Sequence, residues 1–258
     1  MFTRETVTVN GIDTEILTAG SGEEVVYFHG SSTAAGFGFL APLARDHRLI
    51  VPLHPGFGGS ADDESIESAA DYVMHYIELF DLLGLREVSL VGQGLGGLIA
   101  ARFAISHADR LRRLVLCAPV GLRVPEAPTA DLFSVPPGRL PAMLTTSPQR
   151  LPVPDISDTD AMVAAYRETV SAARVLWVRT WDRMLARWLG RIRVPTLLLW
   201  GAEDRMVPPA QAEVWAQRLP QAQVAIVPGC GHLLLAESTG AVERAAAFCS
   251  QSVTAPAR

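Results

Sequence analysis

Four short stretches of the sequence carry residue types that could do chemistry together. Gly92-Gln93-Gly94-Leu95-Gly96 has the small-residue spacing of a tight strand-to-helix turn. In such a turn the central residue is strained, often at positive φ, and its neighbours must be small because strand and helix nearly touch. The tip is a place for a nucleophile, and here it is Gly94. Gly201-Ala202-Glu203-Asp204 puts a carboxylate just past an apolar run, and Pro228-Gly229-Cys230-Gly231-His232 does the same for an imidazole. In chain order these are nucleophile position, acid and base. Asp204 would hold the His232 tautomer, and His232 would serve as general base and then acid. The fourth stretch is His29-Gly30-Ser31, where the backbone N–H of Ser31, with that of Leu95, could form an oxyanion hole.

The elements around these stretches must bring them together. Thr6 to Val9 and Ile12 to Leu17 alternate about Asn10-Gly11, the pattern of a hairpin. Val25–Phe28, Leu49–Val51, Val88–Val91, Leu114–Cys117, Thr196–Trp200 and Val224–Val227 read as buried strands. Helical spacing runs from Ser65 to Leu83, with Gly84 as the C-cap, and helices are also expected over 98–106, 209–218 and 240–249. Strands alternating with helices predict a mostly parallel, twisted sheet covered on both faces, whose C-terminal edge gathers distant residues. One region breaks the alternation. Nine of the 18 prolines lie between Pro119 and Pro154, and a helical pair follows over 159–173 and 174–189. Trp177, Trp181, Met184, Leu185 and Trp188 are expected to share a face of the second helix. Residues 121–190 are therefore read as an inserted helical cap on a core of 1–120 and 191–258, with a ligand pocket between them.

Composition narrows the partners. The chain has 258 residues, 49% hydrophobic and 19% charged, so disorder is excluded and one core can form. Net charge is −5 and no basic tract exists, which argues against nucleic acid. No apolar run approaches the roughly 18 residues of a membrane span, and the charged start lacks a secretory apolar region. All 22 cations are Arg, which excludes Schiff-base, PLP and Walker A lysines. Three cysteines without a CxxC pair fit a reducing compartment and offer no zinc cluster. The expectation is a cytoplasmic protein without cofactor or metal, acting on a small molecule.

Over nearly its whole length the chain resembles the α/β-hydrolase superfamily. The matching motifs are His29-Gly30, Pro55-Gly56-Phe57-Gly58-Gly59-Ser60, the turn at 92–96, Gly201-Ala202-Glu203-Asp204 and Gly231-His232, in order and on the expected elements. The resemblance implies a capped hydrolase of a small, largely apolar ester, lactone, amide or activated C–C bond. The segment Ala118-Pro119-Val120-Gly121-Leu122 and the short cap are similar to hydrolases of aromatic-ring degradation. Typical members carry a serine at the tip, frequently preceded by histidine; this chain has Gly94 and Gln93.

Three accounts of Gly94 stand open: an engineered change that traps a substrate in a serine hydrolase, a natural base-dependent enzyme (hydrolase, lyase or isomerase) lacking the nucleophile, and a non-catalytic binding relative. Gln93, Trp177 and Trp181 are candidate substrate contacts. The same residues also have plainer readings. Gly92, Gly94 and Gly97 match a phosphate-cradling GxGxxG, but the motif follows a central strand rather than the first. His29 reads as ordering its loop, and His54 is assigned no chemistry. Cys117 reads as a buried small hydrophobe, and Cys230, two residues before His232, has no helix N-terminus or base arranged for it. The tryptophan stripe reads mainly as cap packing, and the arginines over 174–193 as a solvated face or a site for an anionic group.

Overall fold

A computed structural model describes residues 2–152 and 157–251. Met1, the 153–156 stretch with Pro154, and the tail 252–258 of the expected core lie outside the described residues. Among the described residues eight strands form one sheet: β1 Thr3–Val9, β2 Ile12–Ala19, β3 Glu23–Phe28, β4 His47–Pro52, β5 Val88–Gln93, β6 Leu111–Cys117, β7 Thr196–Gly201 and β8 Ala222–Val227. The order across the sheet is β1-β2-β4-β3-β5-β6-β7-β8. β2 is antiparallel to both β1 and β4, and all later pairings are parallel. The β1–β2 turn is Asn10-Gly11 with both residues at positive φ, as a two-residue hairpin requires.

The helices are α1 Leu43–Asp46, α2 Ala69–Leu82, α3 Leu95–Ser106, α4 Leu140–Leu144, α5 Thr159–Leu176, α6 Leu185–Trp188, α7 Gln211–Ala216, α8 Leu234–Glu237 and α9 Thr239–Cys249. α2 starts later than its apolar spacing suggested. Ser68 and Asp71 form a reciprocal capping box that sets its first turn. Every residue of β5 and β7 is buried, because helices cover both faces of the sheet centre.

The second helix expected over 174–189 is not continuous. α5 runs on to Leu176, and only Leu185–Trp188 is helical beyond it. Val178, Thr180 and the tryptophans of this stretch are poor helix formers. The backbone instead bridges Trp181 to Gly121, and the Asp182 N–H donates to the Gly121 carbonyl. The Asp182 carboxylate then accepts from the N–H groups of Met184 and Leu185 and starts a new turn. The five side chains therefore share no helical face. Leu185 is buried and Trp177 exposed, while Trp181 is half-buried with the guanidinium groups of Arg123 and Arg179 against its ring.

Candidate active site

The turn at the end of β5 is built by close approaches that only glycine allows. A Cβ at Gly96 would meet the Phe28 and His29 carbonyl oxygens at 2.1 and 2.3 Å. One at Gly92 would meet the Gly96 carbonyl at 2.5 Å, and one at Gly97 the Pro119 ring at 2.8 Å. Strand, helix and neighbouring loop are thus locked together. Gly94 stands at the tip with φ 55° and ψ −113°, a conformation costly to other residues. Its carbonyl accepts from the N–H groups of Leu98 and Val120.

His232 and Asp204 arrive from loops after β8 and β7. His232 Nδ1 lies 2.9 Å from Asp204 Oδ2. Asp204 Oδ1 accepts from the N–H groups of Met206 and Val207, both at 2.8 Å. The side chain of Asp204 is fully buried. This carboxylate is therefore fixed, and it fixes the imidazole with Nδ1–H donating and Nε2 free to take a proton. A Cβ built at Gly94 would lie 3.1 Å from His232 Nε2. Gly94, His232 and Asp204 are thus brought together.

Leu95 is the first residue of α3, where the backbone N–H has no intrahelical partner. Ser31 follows Gly30, which packs 3.7 Å (Cβ position) from the Gln93 carbonyl, so the Ser31 loop runs beside the turn. Of the two expected oxyanion donors, Leu95 directly follows the tip of the elbow, and Ser31 lies on the neighbouring loop.

Gln93 needs correction as a substrate contact. It is buried, its Oε1 accepts from the Tyr27 hydroxyl at 3.0 Å, and its Nε2 donates to the His232 carbonyl at 3.2 Å. Its amide is spent on tying the elbow to the imidazole loop. Trp177 is also displaced from its expected role. It is 66% exposed and packs its ring on Phe133, because the helix it was assigned to ends there.

The surroundings contain residues that sequence reasoning missed. Glu168 on α5 is buried, accepts from the Gly58 N–H at 3.0 Å and the Thr33 N–H at 2.9 Å, and also accepts from the Thr33 hydroxyl. It clamps the loop that carries Ser31 onto the loop after β4. Glu237 accepts from the Gly231 N–H at 2.9 Å and the Thr146 N–H at 2.8 Å, so it anchors the imidazole loop to the β6–β7 connection. Neither position has a signal in the sequence, since each carboxylate finds its donors far along the chain or on a bare loop. A cavity of about 390 Å³ lies against this connection, lined by Phe39, Thr145, Ser147, Gly229, Leu233 and Glu237 among others.

Two further histidines shape the site without facing it. His29 Nδ1 pairs with the Gly30 carbonyl at 2.7 Å, and its Nε2 accepts from the His54 N–H at 2.9 Å. His54 Nε2 in turn donates to the His29 carbonyl at 2.8 Å, and its Nδ1 pairs with the Tyr76 hydroxyl. Burial lowers His29 to a pKa of about 4 and pushes His54 well below its usual value. Both stay neutral and order their loops. Burial raises the Cys117 thiol, and burial followed by Glu237 raises Cys230, so neither is poised as a nucleophile. No helix of the described residues is long and apolar enough to cross a membrane.

Comparison with known proteins agrees with this fold. The profile described as "Alpha/beta hydrolase family" matches residues 25–246. The chain is 27% identical over 256 residues to 2-hydroxy-6-oxo-6-phenylhexa-2,4-dienoate hydrolase of Burkholderia cepacia, spanning 88% of this chain and 87% of the relative. It is 28% identical over 246 residues to 2-hydroxy-6-oxo-2,4-heptadienoate hydrolase of Pseudomonas putida, spanning 88% of each. The crystal structure of a meta-cleavage product hydrolase from Pseudomonas fluorescens superposes with TM-score 0.78 at 21% identity, over 95% of this chain and 96% of that one. At that identity the likeness is one of fold.

Proposed function

The chain belongs to the alpha/beta hydrolase family, and from that premise we propose that it is an enzyme in which His232 and Asp204 activate water. The observation that carries this reading is the geometry at position 94. A Cβ there would stand 3.1 Å from His232 Nε2. With glycine in place, the room of a nucleophile's Cβ and hydroxyl faces a base whose other nitrogen is held by Asp204. A water molecule placed there gives its proton to His232 as its oxygen attacks the substrate carbonyl carbon. The charge moves to the carbonyl oxygen, between the N–H groups of Ser31 and Leu95. The bond to the departing carbon or heteroatom then breaks, and the leaving fragment takes the proton from His232. One water is consumed and one carboxylic acid is released, and the steps use no cofactor.

We assign a small, largely apolar substrate with an activated C–C bond, of the dienoate kind for which two relatives are named. An ester, lactone or amide can follow the same steps. Residues 121–190 act in this reading as a cap over a core of 1–120 and 191–258, in the cytoplasm. Trp181 remains a candidate cap contact.

A second reading has the same imidazole moving a proton in a lyase or isomerase step, and retention of both His232 and Asp204 favours it over mere binding. The test is 2-hydroxy-6-oxo-6-phenylhexa-2,4-dienoate in oxygen-18 water, followed by its visible absorbance and by mass spectrometry. Hydrolysis puts one labelled oxygen into the benzoate product, and His232→Ala removes it. Consumption without labelled acid supports the second reading. An unchanged rate in His232→Ala overturns both.

A further inference from the structure

Surface helices ordinarily bury an apolar stripe and expose a polar face. α5 buries Ala172 and Leu176, yet most of its large apolar side chains face outward. Its inward face carries Glu168, Ser171 and Arg174, which bond to Thr33, Gly58, Asp62 and Asp63 of the core loops. Its outward face carries Val163, Tyr166, Val170 and Trp177, exposed by 61%, 72%, 37% and 66%. Val178 continues the patch at 85%. The spacing 163, 166, 170, 177 follows the three-four alternation of a two-helix seam, with small Ala173 in the remaining place.

We infer that this stripe is a docking surface for a second copy of the chain, with the two α5 helices antiparallel about a two-fold axis at Val170. Charge along the helix supports that partner. Asp158 and Asp160 are exposed at its N-terminal end, and Arg179 and Arg183 just beyond its C-terminal end. Antiparallel pairing sets each acidic end against the partner's basic end, as an isologous contact requires. Extent supports it too. Val163, Tyr166, Trp177 and Val178 each leave more than half of their surface exposed, more than the single apolar residues scattered over an ordinary monomer. Tyr166 would lie one turn from the axis and Trp177 against the partner's Val163, and both are residue types that dominate such contacts. The inference does not depend on the reaction proposed above.

The experiment is sedimentation velocity on the full chain at micromolar concentrations, with single-cysteine cross-linking. The native thiols Cys117, Cys230 and Cys249 are all buried, so an introduced cysteine is read cleanly. The wild type is expected to be a dimer. Tyr166→Glu and Val163→Glu are each expected to weaken dimerisation roughly tenfold or more, with unchanged circular dichroism. Val170→Cys should form a disulfide with its own symmetry mate under mild oxidation, and Val163→Cys should not. Asp160→Arg should weaken the dimer, and Asp160→Arg with Arg183→Asp should restore it. A monomeric wild type, a dimer indifferent to both glutamate variants, or cross-linking at 163 but not 170 would each overturn the inference. A monomer that binds phosphatidylcholine vesicles through Tyr166 would do the same and assign the stripe to a lipid surface.

Discussion

At position 94 one side chain would separate the proposed water-activating site from a covalent one. Gly94→Ser places Oγ beside His232 Nε2, and in the proposed site the backbone N–H groups of Ser31 and Leu95 would need no further change. The serine sits at positive φ, at a cost of about 1–3 kcal/mol. Its Cβ at 3.1 Å also obliges the imidazole to give by a few tenths of an ångström. A domain with about 5–15 kcal/mol of stability absorbs that. The variant is expected to hydrolyse p-nitrophenyl acetate with a burst equal to one acyl group per chain, and an organophosphonate should label the introduced hydroxyl. A folded variant without burst or label would show that the oxyanion donors are not aimed at the tip. Gln93 illustrates the same scale differently. A polar side chain in the place often held by histidine looks like a substrate contact, yet it is buried and its amide ties the Tyr27 hydroxyl to the His232 carbonyl.

Among elements, the junction of β5 and α3 has the least tolerance. Gly96 carries the start of α3 against the end of β3, where a Cβ would sit 2.1 Å from a backbone oxygen that cannot rotate away. Gly96→Ala is expected to lower unfolding free energy by about 3 kcal/mol or more, by displacing strand or helix. Gly36→Ala, in open space but at positive φ, should cost only about 1 kcal/mol. Urea denaturation of the pair measures the difference, and equal losses would mean that the junction relaxes by moving α3. Sequence spacing found these glycines because small residues at fixed intervals are a local requirement of the turn. It did not find the break after Leu176. That break depends on a bridge between Trp181 and Gly121, sixty residues apart, which no local propensity reports.

For the whole molecule, buried histidines set the acid limit of stability. His29 and His75 are lowered by burial to about 4, and His54 is lowered well below its usual value, chiefly by burial and then by His29. In the unfolded chain each titrates near 6.5. Between about pH 6.5 and pH 4 the unfolded state therefore binds more protons than the native one, and stability falls as pH falls. The contribution is fully present above about pH 6.5. By pH 4, His29 and His75 have each removed roughly 3 kcal/mol, and His54 acts in the same direction. Denaturant midpoints at pH 7.5, 5.5 and 4.5 should decline steadily. His54→Gln should flatten the decline while lowering the plateau, and a midpoint independent of pH over this range would refute the assignment.

What this sequence determined alone was whatever depends on neighbours along the chain. The alternation of apolar runs with helical spacing was enough for a parallel α/β sheet. Glycine spacing at 92–97 was enough for a strained turn, and its position after a central strand placed Gly94, Asp204 and His232 at one sheet edge. Tertiary structure decided how each side chain spends its hydrogen bonds. Glu168 reads as an ordinary helical glutamate until Thr33 and Gly58 are seen beneath it. His54 reads as a loop residue until its ring is found against His29 at 3.8 Å. The outward turn of the α5 apolar stripe is likewise invisible in its periodicity. A period fixes which residues share a face, but only the polar partners waiting on the core decide which face turns inward.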